Sequence, residues 1–166
     1  FAKTEGSSMT YAKTYFKYFM THSWSLMYGE TDLDTSKYIN ETSFGEMMNN
    51  IVPNRGSDKY KFVDRGTDGT YNIIDVVYQE TGSDVKQTMT LKLKKKEELL
   101  ILNQWEVCLS SEILRDCTVT APAGMNLALD GISLSDAEYT DDPDTGLRTY
   151  TLGQVLAGKH RLEISG

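Results

Sequence analysis

The sequence predicts an α+β protein in two parts: a helix packed on an antiparallel sheet, followed by a small all-β, sandwich-like module. Three observations carry this. Apolar residues recur at three- and four-residue steps across residues 7–28. Residues 60–109 are rich in β-formers and alternate in polarity. Beyond residue 110 the helical period disappears, and short strand-like runs alternate with Gly, Pro and Asp.

Taken in order, Met9, Ala12, Phe16, Phe19/Met20, Ser23 and Met27 form one stripe, widened by Tyr11, Tyr15 and Tyr18. Ser7 or Ser8 caps its start and Gly29 follows its end, so a single core helix is expected over 7–28. Asp34-Thr35-Ser36 offers a cap for a short helix with Tyr38 and Ile39, and Thr42-Ser43 one for Phe44, Met47 and Met48. Pro53-Asn54-Arg55-Gly56 ends the helical section.

A short strand is expected at Tyr60–Val63, a turn at Thr67–Thr70 and a strand at Tyr71–Gln79. Val85, Met89, Leu91 and Leu93 then alternate with Lys86, Thr88, Thr90, Lys92 and Lys94, the pattern of a strand buried on one face. Lys94–Glu98 reads as a charged hairpin tip. Leu99–Leu109 reads as a long central strand, with Trp105 buried between sheet and helix alongside Ile101 and Val107.

Ser110–Asp116 is a polar joint, which places the domains at 1–110 and 111–166. The charge shifts there: residues 1–110 carry 13 basic and 15 acidic groups and residues 111–166 carry 4 and 9, within an overall −7. Strands are expected at 117–120, 126–130, 148–152 and 160–165. About fifty residues is little material for an independent core.

The composition excludes several classes. The acidic balance lacks the basic footprint of nucleic-acid binders. No apolar run of about 18 residues is present to span a bilayer. There is no phosphate-cradling Gly loop, no G-x-S-x-G elbow and no H-E-x-x-H helix, and His22 and His160 are too few for a multi-histidine metal site. Asp141–Gly146 lacks the spacing of a calcium loop and reads as a β-turn. No cofactor or metal is expected. Cys108 and Cys117 either bridge across the joint in an oxidising compartment or remain small apolar thiols. The start at Phe1 suggests that a signal or anchor segment was removed.

Long helix, short helices and a meander ending in Leu102-Asn103-Gln104-Trp105 resemble the nuclear-transport-factor-2-like cone fold, in which a curved sheet wraps a helix. The resemblance covers about two thirds of the chain. The tail carries Ala121-Pro122-Ala123-Gly124, Leu127-Ala128-Leu129-Asp130-Gly131 and Val155-Leu156-Ala157-Gly158-Lys159-His160. It resembles small all-β modules of bacterial envelope proteins. Together the halves resemble the extracytoplasmic part of Gram-positive envelope proteins of the teicoplanin-resistance-associated type.

That resemblance implies a membrane-anchored, cell-surface binding or interaction module. It implies a protein or cell-wall component as partner, and no reaction. Cone folds carry a pocket between helix and sheet, so the candidate ligand-binding residues are Asp75, Asn103, His22 and Tyr15. An enzyme resembling the isomerases and dehydratases of the cone class would use Asp75 as base, His22 as acid and Asn103 as oxyanion donor. Either alternation of residues 71–78 is apolar enough to face inward, so the side of Asp75 stays open. An architectural spacer is the remaining alternative.

Overall fold

The computed structural model describes residues 7–51, 56–96 and 104–166. It is α+β, with helices and antiparallel sheets. The chain divides into two compact units: the described parts of Phe1–Leu33 with Asn54–Leu109, and of Asp34–Pro53 with Ser110–Gly166. One boundary between the units falls between Leu109 and Ser110. Residues 34–53, expected with the first part, group instead with the tail.

In the first unit, helix α1 (Ser8–Met20) is capped by the Ser7 hydroxyl, which accepts the Met9 N–H at 3.1 Å. It buries Ala12, Tyr15 and Phe16 on one face. The single helix expected over 7–28 is two. Thr21 ends α1, with its hydroxyl donating to the Lys17 carbonyl at 2.9 Å. The His22 N–H bonds the Phe19 carbonyl and the Ser23 N–H the Tyr18 carbonyl, with His22 at φ 55°. This is a Schellman closure with histidine in the left-handed position usually given to glycine. Helix α2 (Trp24–Gly29) follows and buries Trp24, Met27 and Tyr28. The apolar spacing runs straight through the break, so periodicity alone does not detect it.

Four strands form an antiparallel sheet in chain order: β1 (Ser57–Asp68), β2 (Tyr71–Glu80), β3 (Lys86–Lys95) and β4 (Trp105–Val107). β1 is much longer than the expected Tyr60–Val63. Asp68 pairs with Tyr71 across Gly69-Thr70, with φ 64° at Gly69 alone, the pattern of a type II′ hairpin. On β2 the buried alternation is Asn72, Ile74, Val76 and Tyr78. Their partners Leu91 and Leu93 on β3 are also buried.

Asn72 sits beneath a bulge in β1 between Asp64 and Gly66. Its amide donates to Asp64 Oδ1 at 3.1 Å and to the Gly66 carbonyl at 2.8 Å, while its carbonyl accepts the Ser8 hydroxyl from α1. Helix α1 therefore lies on the Asn72–Tyr78 face.

The strand expected to be central is an edge. β4 pairs with β3 on one side, and on the other it meets the segment after α2. The Val107 N–H donates to the Glu30 carbonyl at 2.8 Å and the Asp32 N–H to the Val107 carbonyl at 2.9 Å. Trp105, expected to be buried, is half-buried with Lys95 Nζ 5.7 Å from its ring centre; Val107 is the buried residue. The expected strand residues 99–103 and the hairpin-tip residues 97–98 lie outside the described residues.

In the second unit, helix α3 (Glu41–Ile51) begins with a reciprocal cap. Asn40 Oδ1 accepts the Ser43 N–H and Ser43 Oγ accepts the Asn40 N–H, both at 3.0 Å. The expected helix around Tyr38 is instead a bend, and Tyr38 is buried in the core of this unit.

Two three-stranded antiparallel sheets line that core. One has the order β5 (Ile113–Pro122), β9 (Leu147–Leu156), β8 (Glu138–Asp142); the other β10 (Leu162–Ser165), β6 (Asn126–Leu129), β7 (Ile132–Ser133). Leu127, Leu129, Leu134, Tyr150 and Val155 fill it. Asp130 (φ 48°) and Gly131 (φ 79°) make the expected tight turn between β6 and β7, with both central residues left-handed. Asp141–Gly146 includes the turn of the β8–β9 hairpin, where Asp142 Oδ1 accepts the Asp144 N–H at 2.9 Å.

Candidate functional site

Of the candidate ligand-binding residues, the three that are described, Asp75, His22 and Tyr15, are not brought together in a pocket. Asp75 lies on β2 on the face away from α1, alternating with the buried Ile74 and Val76. Its carboxylate accepts the Thr90 hydroxyl at 2.7 Å and Arg65 Nε at 2.9 Å. Those hydrogen bonds, Thr90 first, hold its carboxyl below the ordinary carboxylate range. A carboxylate held in this way is a weak base.

His22 closes α1 on the opposite side of the sheet, stacked on Trp24 with 4.7 Å between ring centres and 23° between planes. Tyr15 is a core residue, 4% exposed, and burial pushes its phenol upward. Asn103 lies outside the described residues. Cys108 and Cys117 are unbridged thiols. Burial, with Asp32 nearby, pushes the Cys108 thiol up to about 11.

What the first unit does present is a trough between α1 and β1. Lys13, Lys17 and Met20 of the helix face Tyr60 and Phe62 of the strand around an open volume of about 420 Å³. Its aromatic floor is continuous with the core. Phe16 meets Tyr60 at 5.3 Å, Phe62 at 5.7 Å and Tyr78 at 5.4 Å between ring centres. Lys13 Nζ stands 5.8 Å from the centre of the Phe62 ring.

The alternation of β1 sends Tyr60 and Phe62 to the helix side and Lys59 and Lys61 to the other, because their partners are Tyr78 and Val76 against Gln79 and Val77. On that second face Lys59, Lys61 and Lys86 border a hollow of about 210 Å³ over Val77 and Gln79. Five lysines thus surround one strand of a chain whose net charge is −7. Sequence reasoning missed this because the lysines come from three separate segments. The available signal was Lys59-Tyr60-Lys61-Phe62, basic residues interleaved with aromatic ones.

The second unit contains an acid–imidazole pair that was also not singled out. Asp130, 1% exposed, accepts the Arg161 N–H at 2.9 Å and contacts His160 Nδ1 through its other oxygen. His160 Nε2 meets the Leu156 carbonyl. The pair ties the β6–β7 turn to the segment entering β10. Its further contacts are a backbone N–H and a backbone carbonyl, an arrangement that acts as a strut.

Among the described residues no group of three or more His, Cys, Asp or Glu is placed to hold a metal ion, and no helix is long and apolar enough to cross a membrane. No family model matches the chain, and no curated protein or solved structure matches it.

Proposed function

We propose that the chain is a non-enzymatic, extracytoplasmic binding module of a bacterial cell-envelope protein, with the α1–β1 trough as its binding surface. The observation that carries this is the trough itself. It offers aromatic rings on the floor and lysines on the rim, next to an edge strand exposed along most of its length. Large aromatic side chains held at an open surface with mobile cations around them make a recognition surface.

The cone-like reading of the first unit draws support from the two bulges in β1, at Ser57/Lys59 and Asp64/Gly66, since a bulge bends its strand. The sandwich-like reading of the second draws support from two sheets lining one apolar cluster. The envelope location and the membrane anchor rest on the two-module layout. An enzyme using Asp75 and His22 has no comparable support, because the two stand on opposite faces of one sheet.

The test is retention of the purified chain on isolated Gram-positive envelopes. Retention is expected for the unaltered chain and expected to drop for Lys13→Glu/Lys17→Glu, two exposed helix positions whose reversal leaves the core intact. Equal retention of both proteins, or none of either, rejects the reading.

A further inference from the structure

We infer that the partner is an extended acidic polypeptide segment that adds to the open edge of β1 as a further strand. This deepens the binding-module reading and rests on it.

The two edges of the first sheet are treated differently. The β4 edge is covered by residues 30–32 through backbone hydrogen bonds in both directions. The β1 edge, twelve residues long, has β2 on one side and no strand on the other among the described residues. An uncovered edge presents a row of backbone donors and acceptors that another extended chain can match. A strand added there would alternate its side chains between the two faces of the sheet. On one face they would meet the aromatic trough, with Lys13 and Lys17 at its rim. On the other they would meet Lys59, Lys61 and Lys86.

Charge selects the occupant. Lysine on an edge strand blocks pairing with a like-charged strand. Two copies of β1 paired antiparallel about Tyr60 would set Lys59 of one against Lys61 of the other, which disfavours that symmetric register. A segment carrying Glu or Asp at alternate positions sets acids against Lys59, Lys61 and Lys86 on one face and leaves apolar side chains for the aromatic trough on the other. Asp58 and Asp64 bracket the stretch 59–63 and confine the basic surface to about five residues. An anionic wall polymer would satisfy the lysines but leave the edge donors and acceptors unmatched. The edge therefore favours a polypeptide.

The probe is a synthetic ten-residue peptide alternating Glu with Val and Tyr, followed by fluorescence anisotropy. Its counterpart with Lys in place of Glu and inorganic polyphosphate serve as controls. Two further versions are N-methylated at alternate residues, one for each edge of the peptide. The acidic peptide is expected to bind and its Lys counterpart to bind at least about tenfold more weakly. One N-methylated version should lose binding by about tenfold or more and the other should keep it, since only one edge faces β1. Lys59→Glu/Lys61→Glu should weaken binding by about tenfold. Amide exchange across residues 57–64 should slow when the peptide is bound.

Binding that is indifferent to N-methylation overturns strand addition, as does unchanged exchange in β1. Polyphosphate binding without peptide binding, or protection of β1 by concentration-dependent self-association, overturns the choice of occupant. If envelope retention still depends on Lys13 and Lys17 while the peptide fails, the strand-addition inference falls and the binding-module reading stands. If retention also fails, both fall.

Discussion

The ring of Tyr60 rests 5.3 Å from the ring of Phe16, tilted by 53°, although Phe16 is fully buried and Tyr60 is 47% exposed. One contact thus joins the core to the trough. The two rings should separate stability from binding. Phe16→Ala removes a buried ring with four aromatic neighbours and is expected to destabilise by about 3–5 kcal/mol. Tyr60→Ala removes a ring that is about half exposed and should cost less, about 1 kcal/mol, while weakening retention on envelopes. Urea unfolding of both variants decides this, and equal losses would mean that Tyr60 is a core residue.

At the end of α1 the left-handed φ of His22 opposes its stacking on Trp24. Left-handed backbone costs a non-glycine residue about 1 kcal/mol or more, and an aromatic pair returns a similar amount, about 0.5–1.5 kcal/mol. His22→Ala loses the stack and keeps the strain; His22→Gly loses both. The glycine variant should therefore be more stable than the alanine variant by about 1 kcal/mol. If alanine equals or exceeds glycine, the Schellman closure is not the conformation in solution.

Asp75 is held below its ordinary carboxyl value of 3.8 by Thr90 and Arg65. A depressed acid contributes stability that is present above its unfolded pKa and is lost as pH falls through its folded pKa. At neutral pH the contribution is complete, and it fades below about pH 3.8. In a carboxyl-detected NMR titration, Thr90→Val and Arg65→Ala should each raise the Asp75 midpoint towards 3.8. A midpoint unmoved by both would refute the hydrogen-bonded arrangement.

Cys108, pushed up to about 11 from an ordinary 9.0, holds about a hundredfold less thiolate near pH 8 than an unperturbed thiol. Alkylation by iodoacetamide in the folded protein should be slower at Cys108 by about that factor than at a cysteine in a short peptide, and the difference should vanish in urea. Matching rates in the folded state would place the thiol in water rather than in its half-buried pocket.

Much of the fold was legible because hydrophobic alternation reports burial directly. The strand at Tyr71–Gln79, the buried Leu91 and Leu93 and the turn at Asp130-Gly131 all follow from it. It did not reveal which face of β2 turns inward, since Ile73 and Val77 are as apolar as Ile74 and Val76. Asn72, whose place beneath the β1 bulge explains its burial, marks the inner face. The break at His22 is a contest between side-chain and backbone hydrogen bonds that a stripe does not register. The move of residues 34–53 to the second unit depends on Tyr38 packing with residues more than eighty positions away. The trough is assembled from α1 and β1, and neither segment alone signals it.

The pair Asp130–His160 allows the sharpest test of the second unit. Asp130 does two things at one position. Its backbone takes a left-handed turn, which Asp and Asn tolerate better than other side-chain-bearing residues. Its carboxylate accepts the Arg161 N–H and holds the His160 ring. Asp130→Asn keeps the turn and an amide oxygen for Arg161 but gives up the charge. Asp130→Ala gives up every one of these and leaves a backbone N–H and an imidazole nitrogen without their acceptor. His160→Ala strands a carboxylate that is 1% exposed, which costs more than an ordinary truncation because an unpaired buried charge cannot be rehydrated. The expected order of stability is unaltered chain, then Asp130→Asn, then Asp130→Ala, with the last lower by about 3 kcal/mol. In a double-mutant cycle, Asp130→Asn and His160→Ala should couple by about 1 kcal/mol or more. Additive effects, or a loss below about 0.5 kcal/mol for Asp130→Ala, would show that the turn is held by its backbone alone and that the pair contributes nothing to the fold.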